Sequence, residues 1–164
     1  MKILLLSDTH SHLDASILNY AREANEIWHS GDFGNILVSD TLAAANTLRG
    51  VYGNIDGQEL RKVHPEVNFF EVQGLKVLIV HIGSSYGKYP APILEKIRTL
   101  KPDIFICGHS HILKVSRDPS FNNMLCLNPG AAGKSGFHQF RTMIRMEIAE
   151  GKVKNLDVIE LGKR

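Results

Sequence analysis

Seven side chains of the kind that bind hard divalent cations are spread along this 164-residue chain in short clusters. They comprise two aspartates, one asparagine and four histidines: Asp8, His10, Asp32, Asn54, His81, His109 and His111. Carboxylate, amide and imidazole ligands favour Mn, Fe, Zn, Co or Ni over soft copper. One tetrahedral site needs only about four ligands, so this set fits two ions if one carboxylate bridges them. Two ions about 3.5–4 Å apart would clamp an oxyanion and generate hydroxide near neutral pH.

The donors follow segments that are expected to form buried strands. Three clusters come directly after the apolar runs at residues 3–6, 77–80 and 104–107. A strand buried on both faces cannot carry carboxylates and imidazoles cheaply, so the donors are expected where the strands end. In an open α/β sheet that edge is where ligands bind. If the extended geometry continues, Asp8 points the same way as His10, and His109 the same way as His111.

The order of the predicted elements indicates a layered α/β domain with an antiparallel flank. Apolar patterning predicts strands at 2–6, 26–29, 51–52, 68–72, 75–80, 103–107, 112–117, 124–127, 142–148 and 153–160, and helices at 14–24, 37–48 and 93–100. Asp14 is a plausible N-cap of the first helix, and Gln73-Gly74 predicts a hairpin turn. The length predicts a single domain over residues 1–164.

Composition excludes several classes of function. A formal charge of +2, with Lys and Arg scattered along the chain, is too weak for a nucleic-acid surface. No apolar run approaches the roughly 20 residues that span a bilayer, and the run after Lys2 is too short for a signal peptide. We therefore expect a cytoplasmic protein with neither nucleic-acid nor membrane partners. Cys107 and Cys126 lie in apolar runs and are expected to be reduced core thiols.

Taken singly, Gly-Asp and Gly-Asn are common turns, and a histidine at a strand end is often structural. Taken together and in this order, the motifs resemble the calcineurin-like metallophosphoesterase superfamily, in particular its small bacterial and archaeal phosphodiesterase branch. The matching motifs are Asp8-x-His10, Gly31-Asp32, Gly53-Asn54-x-Asp56, His81, Gly108-His109-x-His111 and Asn128-Pro129-Gly130. The resemblance implies an α/β fold, a four-layer α/β/β/α sandwich of two mixed sheets flanked by helices.

The resemblance also implies a ligand set. One ion would be held by Asp8, His10, Asp32 and His111, and the other by Asp32, Asn54, His81 and His109, with Asp32 bridging. Two divalent ions per chain are implied, with manganese as the first choice and zinc, iron, nickel or cobalt as alternatives. Hydroxide between the ions would attack a small phosphodiester substrate, and Asn54, His81 and His109 are the candidate catalytic residues.

Three positions depart from the family pattern, and one of them is His12, where small relatives commonly have glycine. Many members carry a histidine near the leaving group where this chain has Ile55, and loss of a positioned acid typically costs about 10²–10⁴-fold. That loss is small for aryl leaving groups, so the chain is predicted to favour activated aryl diesters. Ile82-Gly83 follows His81 where the family often has a further histidine.

A different class of function also stays open at this point. A retromer-coat subunit of similar size resembles this fold and acts as a protein-interaction scaffold with little catalysis. The intact donor set favours an enzyme. A homo-oligomer is a further alternative that the sequence does not decide.

Other residues have more than one interpretation. His12 could reach the substrate, stand in as the missing acid or be a solvated loop residue, and His29 could orient a ligand or simply pack. A basic loop at 134–138, together with Arg141, could hold a phosphate or lie on the surface, and His138 belongs to it. Residues 84–90 could form a wall beside the substrate, with Tyr86 and Tyr89 stacking on a ring; Trp28, Phe69 and Phe70 are expected in the core.

Overall fold

The computed structural model describes residues 1–83 and 88–164, which contain two five-stranded mixed sheets. The first sheet has the strand order β10-β9-β1-β2-β3 and is built from β1 (Lys2–Leu6), β2 (Glu26–His29), β3 (Thr47–Gly50), β9 (Phe140–Ala149) and β10 (Lys152–Lys163). The second has the order β4-β5-β6-β8-β7 and is built from β4 (Val67–Val72), β5 (Leu75–Val80), β6 (Ile104–Ile106), β7 (Lys114–Asp118) and β8 (Met124–Asn128).

Helices cover the outer faces of both sheets. They are α1 (Ala15–Glu23), α2 (Ile36–Ala45), α3 (Gln58–Val63) and α4 (Ala91–Leu100), with one 3₁₀ turn at Pro119–Phe121. Asp14 caps α1 as predicted, because its carboxylate accepts a hydrogen bond from the Ile17 N–H at 3.0 Å. Asn35 caps α2 in the same way, accepting from the Val38 N–H at 3.1 Å.

The period-2 alternation of strand side chains builds three layers of core. Ile3 and Leu5 of β1 point to the second sheet, where they join Val77 and Ile79 of β5 in the central cluster. The intervening Leu4 and Leu6 pack instead against α1 and α2 in an outer cluster. A third cluster lies between the second sheet and α4. This is the predicted four-layer α/β/β/α sandwich.

The parallel strands of both sheets end at aligned positions. In the first sheet the ends of β1, β2 and β3 are in register, with Leu6 paired with His29 and His29 paired with Gly50. In the second sheet β5, β6 and β8 run parallel, with Ile79 paired with Ile106 and Ile106 with Leu127. The segments that follow these strands therefore leave the two sheets at their carboxyl ends, where the polar residues of the motifs lie.

Two element predictions are wrong around residues 45–63. The helix predicted to reach Leu48 ends at Ala45, and the strand predicted at 51–52 is β3, at Thr47–Gly50. The reason is tertiary: Arg49 of β3 makes a two-point ion pair with Glu26 of β2, with N–O distances of 2.8 and 3.0 Å. Helix α3 was not predicted, since it has six residues, no side-chain cap and Leu60 as its one buried residue.

Most core predictions are confirmed. Trp28 is fully buried, and both cysteines, Cys107 and Cys126, are buried free thiols. The prediction for Phe69 is wrong, because its side chain is 37% exposed on the edge strand β4, whereas Phe70 packs edge-to-face on Trp28 at 5.3 Å.

Within residues 1–83 and 88–164, no helix is long and apolar enough to cross a membrane.

Candidate metal centre

The chain turns sharply at the candidate ligands. Five of the seven adopt left-handed backbone conformations with φ between 46° and 66°: Asp8, His10, Asp32, His109 and His111. The extended geometry expected after β1 and β6 therefore does not continue. Left-handed conformations cost non-glycine residues about 1–3 kcal/mol each and persist where the surrounding structure enforces them. A cluster of such residues at one sheet edge points to a functional site.

Backbone hydrogen bonds between loops enforce the first of these turns. The Asp8 N–H donates to the Gly31 carbonyl at 2.9 Å, and the His10 N–H donates to the Asp32 carbonyl at 3.1 Å. The Ser11 N–H donates to the Phe33 carbonyl at 2.8 Å. The loops after β1 and β2 are therefore joined along their length, which fixes Asp8, His10 and Asp32 relative to one another.

The donors form two groups of three, each with donor atoms within 4.8 Å of one another: Asp8, His10 and His111, and Asp32, His81 and His109. In the first, His111 Nε2 lies 3.2 Å from Asp8 Oδ1 and 3.3 Å from His10 Nε2. In the second, His81 Nε2 lies 3.3 Å from Asp32 Oδ1. The expectation that His109 would join His111 is wrong, because the two side chains enter different groups.

Asp32 faces both groups. Its Oδ1 approaches His81, while its Oδ2 lies 3.8 Å from His10 Nε2. Asn54 completes the second group, since its side-chain oxygen lies 3.0 Å from His81 Nε2. This distribution is the one that the resemblance implies, with Asp32 in the bridging position. Metal ligation by the seven residues stays a prediction.

The atoms that converge here suit cations. Asp8 Oδ1 is fully buried and accepts no well-aligned hydrogen bond among the described residues, although His111 Nε2 lies 3.2 Å away. His81 Nδ1 donates to the Ser30 carbonyl at 2.8 Å, which leaves its Nε2 lone pair facing the oxygens of Asp32 and Asn54. Where these nitrogens are unprotonated, the converging lone pairs repel one another unless a positive charge lies between them, which either a proton on His81 or a metal ion can supply. The residues therefore fit a pair of divalent ions.

The charges within the site shift the pKa values of its members. Burial acts to lower the pKa of His81, but the hydrogen bond with Asp32 and the negative charges of Asp8 and Asp32 raise it overall. Burial likewise acts to raise the pKa of Asp32, yet the hydrogen bond and charge of His81 and the N–H of Ile55 lower it overall. Each partner thus stabilises the charged form of the other.

Buried polar residues around the ligands hold the loops in place. Asp56 accepts hydrogen bonds from the N–H groups of Phe33, Gly34 and Gly53 at 3.2, 2.8 and 2.7 Å, which joins the turn before Asn54 to the loop after Asp32. Asn128 donates to the Gly108 carbonyl at 2.9 Å and so holds the loop that carries the last two histidines. The sequence motifs contain both residues, but give no indication of these roles.

His29 is fully buried, and it both packs in the core and holds the turn that precedes Asp32. Its ring stacks on Phe33 at 3.7 Å, and its Nδ1 accepts from the N–H of Gly31, the residue before Asp32, at 3.1 Å. Burial and the neighbouring histidines lower the pKa of His29 well below its usual value, so the ring is neutral. A neutral ring can accept this hydrogen bond and keep the turn in place.

Glycines allow the loops to approach this closely. A Cβ added at Gly53 would overlap the carboxylate of Asp32. Gly31 has a φ of +100°, and a Cβ there would meet the ring of His81. The Gly-Asp and Gly-Asn pairs are therefore more than turn signals, because the glycine makes room for the ligand of a neighbouring loop.

The sequence profile of the calcineurin-like phosphoesterase superfamily domain matches residues 1–151. The chain belongs to the calcineurin-like phosphoesterase superfamily. The resemblance read from the motifs is thus confirmed. A comparison with curated proteins finds no match.

Solved structures share the fold. A predicted phosphoesterase from Streptococcus pneumoniae TIGR4 has a TM-score of 0.72 and 22% identity, covering 97% of this chain and 88% of that chain. Wild-type Vps29 from Entamoeba histolytica complexed with Zn²⁺ has a TM-score of 0.74 and 19% identity, covering 98% and 99%. Vps29 from Chaetomium thermophilum with a cyclic peptide has a TM-score of 0.69 and 13% identity, covering 100% and 98%.

The side chains of Arg141 and His12 contact Asp14 rather than the candidate metal ligands. Arg141 is buried and donates to the Ala132 carbonyl and to Asp14, both at 2.7 Å, so the expectation that it contacts phosphate or lies in a surface loop is wrong. His12 Nε2 lies 3.3 Å from the same carboxylate of Asp14. Both side chains belong to a polar cluster that joins α1 to β9.

The segment at residues 84–90 is described only in part. Residues 84–87, and with them the prediction for Tyr86, lie outside the described residues. Tyr89 does not line the cavity at the candidate site; its hydroxyl donates to Asp118 at 2.8 Å and its ring packs edge-on against Phe105 at 5.4 Å.

The loop at 134–138 lies beside the candidate metal centre. A cavity of about 250 Å³ is lined by His10, Asp32, Asn54, Ile55, His109, Ser110, His111, Gly136, Phe137 and His138. His138 lies 6.0 Å from His111 between ring centroids, and burial together with the charge of Arg164 lowers its pKa. Ile55 lines the same cavity, so the position that lacks a proton donor does face the site. The basic composition of the loop gives no indication that the side chain of Phe137 lines this cavity.

Proposed function

We propose that this chain is a metal-dependent phosphodiesterase. The observation that carries the proposal is the convergence of a complete donor set into two adjacent groups with Asp32 between them. Asp8, His10 and His111 would hold one divalent cation, His81, His109 and Asn54 the other, and Asp32 would bridge. When bound, such a pair supplies electrostatic stabilisation of a phosphoryl group and a nucleophile from water near neutral pH.

The protein's own residues would position the substrate. Asn54 is exposed at the cavity, where its amide can contact a phosphate oxygen. His29, Asp56 and Asn128 fix the ligand loops, which keeps the donors preorganised for charge that develops during reaction. The cavity is open to solvent and small, which favours a small diester over a macromolecular substrate.

The side chain of Ile55 defines which diesters are expected to react. It occupies the cavity beside Asn54 and cannot donate a proton to a leaving group. Aryl leaving groups need no such proton, because phenolates with electron-withdrawing substituents leave as anions. We therefore expect faster hydrolysis of activated aryl diesters than of alkyl esters.

The first test is turnover of bis-p-nitrophenyl phosphate by protein loaded with Mn²⁺. We expect two metal ions per chain in the wild type. Activity should fall at least about 10²-fold in Asp32→Ala, because both donor groups lose the carboxylate that they share. His12→Ala is the matched control, since His12 contacts Asp14 rather than the donors, and its activity should stay near wild type. Absence of turnover in fully loaded wild-type protein would overturn the proposal.

A scaffold role is the second candidate. The Vps29 structures with TM-scores of 0.74 and 0.69 share the fold, and one of them is a complex with a cyclic peptide. A protein that is well folded, binds no metal and hydrolyses no diester would favour this role. The complete donor set supports the enzyme instead. Cytoplasmic location, homo-oligomerisation and a single domain over the full chain stay predictions.

A further inference from the structure

A fully exposed aromatic ring stands at the rim of the candidate metal centre. The side chain of Phe137 is 103% exposed, the highest value among the large apolar residues of the described chain. It lines the cavity of about 250 Å³ that also contains His10, Asp32 and Asn54. A phenyl ring left in water forgoes the free energy of burial, which contact with a molecule bound in this cavity would recover.

The loop that carries Phe137 is packed at its base. Gly136 has a φ of +128°, and a Cβ at this position would overlap the ring of His111 and the guanidinium of Arg164. Arg164 also donates to the Ser135 carbonyl at 3.0 Å. The backbone therefore lies directly against a ligand histidine, and this contact places the following ring at the cavity mouth.

The same cavity has a second apolar wall. Ile55 is 46% exposed, and its backbone N–H donates to Asp32 Oδ1 at 3.1 Å, which fixes the residue beside the donors. Among the described residues, no lysine or arginine lines this cavity. Recognition of a substituent here would thus use apolar contact and aromatic stacking rather than charge.

We propose that Phe137 and Ile55 form a subsite for one planar aromatic ester group of the substrate, an aryl or nucleobase-like ring. The inference rests on the proposed phosphodiesterase function, which places the phosphorus at the donor groups. Phenyl rings prefer offset-stacked or edge-to-face contacts with other rings, which an aliphatic ester cannot make. The cavity volume lies below the usual range for ligand pockets, about 300–1,000 Å³, so it suits one ring with its phosphate.

The test compares phenylphosphonate with methylphosphonate, which share a head group and differ in the ring. Calorimetry on Mn²⁺-loaded protein should give tighter binding of phenylphosphonate by about 2- to 10-fold, the range expected for one aromatic contact. Phe137→Ala should bring the ratio of the two affinities close to one, whereas Phe137→Tyr should retain it. Phe140→Ala is the matched control, because Phe140 is 43% exposed on β9 and does not line the cavity.

Kinetics add a readout that separates this inference from the proposed function. With bis-p-nitrophenyl phosphate, Phe137→Ala should raise KM by a similar factor and leave kcat within about 2-fold, because the ring binds without touching the reacting atoms. Equal affinities of wild type for the two phosphonates, or an unchanged ratio in Phe137→Ala, would overturn the subsite even if turnover is normal. A ring preference that depends on Phe137 in a protein without turnover would support the subsite and overturn the phosphodiesterase proposal.

Discussion

Ile55 stands where the family pattern has a proton donor, and it offers a gain-of-function test. A histidine at this position would face the same cavity as Asn54 and could donate a proton to a departing alkoxide. We expect Ile55→His to raise kcat for release of an alkyl leaving group by up to about 10²-fold and to leave kcat for release of an aryl leaving group nearly unchanged. Turnover of methyl p-nitrophenyl phosphate at each of its two esters measures both effects in one molecule.

The control for this substitution is Ile55→Gln, which is polar but cannot act as an acid. The ratio of methanol to p-nitrophenol that Ile55→Gln releases should equal that of the wild type. Equal gains for both leaving groups in Ile55→His would contradict the idea that the missing acid limits the reaction.

The identities of the seven donors could be predicted from the sequence, but the path of the backbone between them could not. The donor types and their order are local information, whereas the left-handed turns at Asp8 and His109 are enforced by other loops. The Asp8 N–H bonds to a residue 23 positions along the chain, Gly31, and the His109 N–H bonds to Asp8 at 3.1 Å. Contacts at this separation leave no trace in residue spacing, which is why His109 and His111 were wrongly expected to meet.

At the scale of elements, the polar cluster of Asp14, Arg141 and His12 joins α1 to β9. Asp14 both caps the helix and pairs with the buried guanidinium of Arg141 at 2.7 Å. Asp14→Ala removes the cap, at about 0.5–2 kcal/mol, and also leaves a buried charge without its partner, so its cost should exceed that of a cap alone. Urea denaturation measures the change in the free energy of unfolding.

Two variants separate these contributions. Asn35→Ala removes the cap of α2 without disturbing an ion pair, so it should cost about 1 kcal/mol. Asp14→Asn keeps a capping oxygen and removes the charge, so it isolates the loss of the pair with Arg141. Equal costs for Asp14→Ala and Asn35→Ala would contradict a stabilising role for the ion pair.

The same carboxylate predicts a dependence of stability on pH. Burial acts to raise the pKa of Asp14, but the Ile17 N–H, Arg141 and His12 lower it from 3.8 to about 2. A depressed pKa in the folded state means that this stabilisation is complete above pH 4 and is lost as the pH falls towards 2. In Asp14→Asn, the decrease in unfolding free energy between pH 4 and pH 2 should be smaller than in wild type. Identical slopes in the two proteins would contradict the assignment.

Strands with strong apolar patterns were predictable, and elements set by partners were not. The strands β1, β2 and β5 match the predicted ranges, and β1 and β5 contain the apolar runs at 3–6 and 77–80. β3 contains Arg49, whose guanidinium pairs with Glu26 and lies 4.5 Å from the centroid of the Phe70 ring. The sequence carries no sign of these contacts, so the helix predicted from the apolar pattern extends three residues beyond Ala45 to Leu48.

At the scale of the whole molecule, the two donor groups join the two sheets. Asp8, His10 and Asp32 follow strands of the first sheet, whereas His81, His109 and His111 follow strands of the second. Each group therefore contains residues from both sheets. The family and the four-layer architecture were predictable because motif order encodes this arrangement. The polar cluster at Arg141 was not, because it depends on α1 packing against β9.

A cation pair that bridges two sheets should stabilise the folded protein as a unit. Binding to the folded state alone contributes about 2.7 kcal/mol at a metal concentration 100 times Kd. For a chain of this size, each kcal/mol corresponds to about 2–4 °C, so Mn²⁺ should raise Tm by about 5–10 °C over EDTA-treated protein in differential scanning calorimetry. In Asp32→Ala the shift should be much reduced. In contrast, Asn35→Ala should lower Tm but keep the full shift, since the Asn35 side chain caps α2 through the Val38 N–H and is not one of the donors. An equal Tm with and without Mn²⁺ in wild type would mean that the converging carboxylates and imidazoles bind no ion at this concentration, and the catalytic proposal would lose its basis.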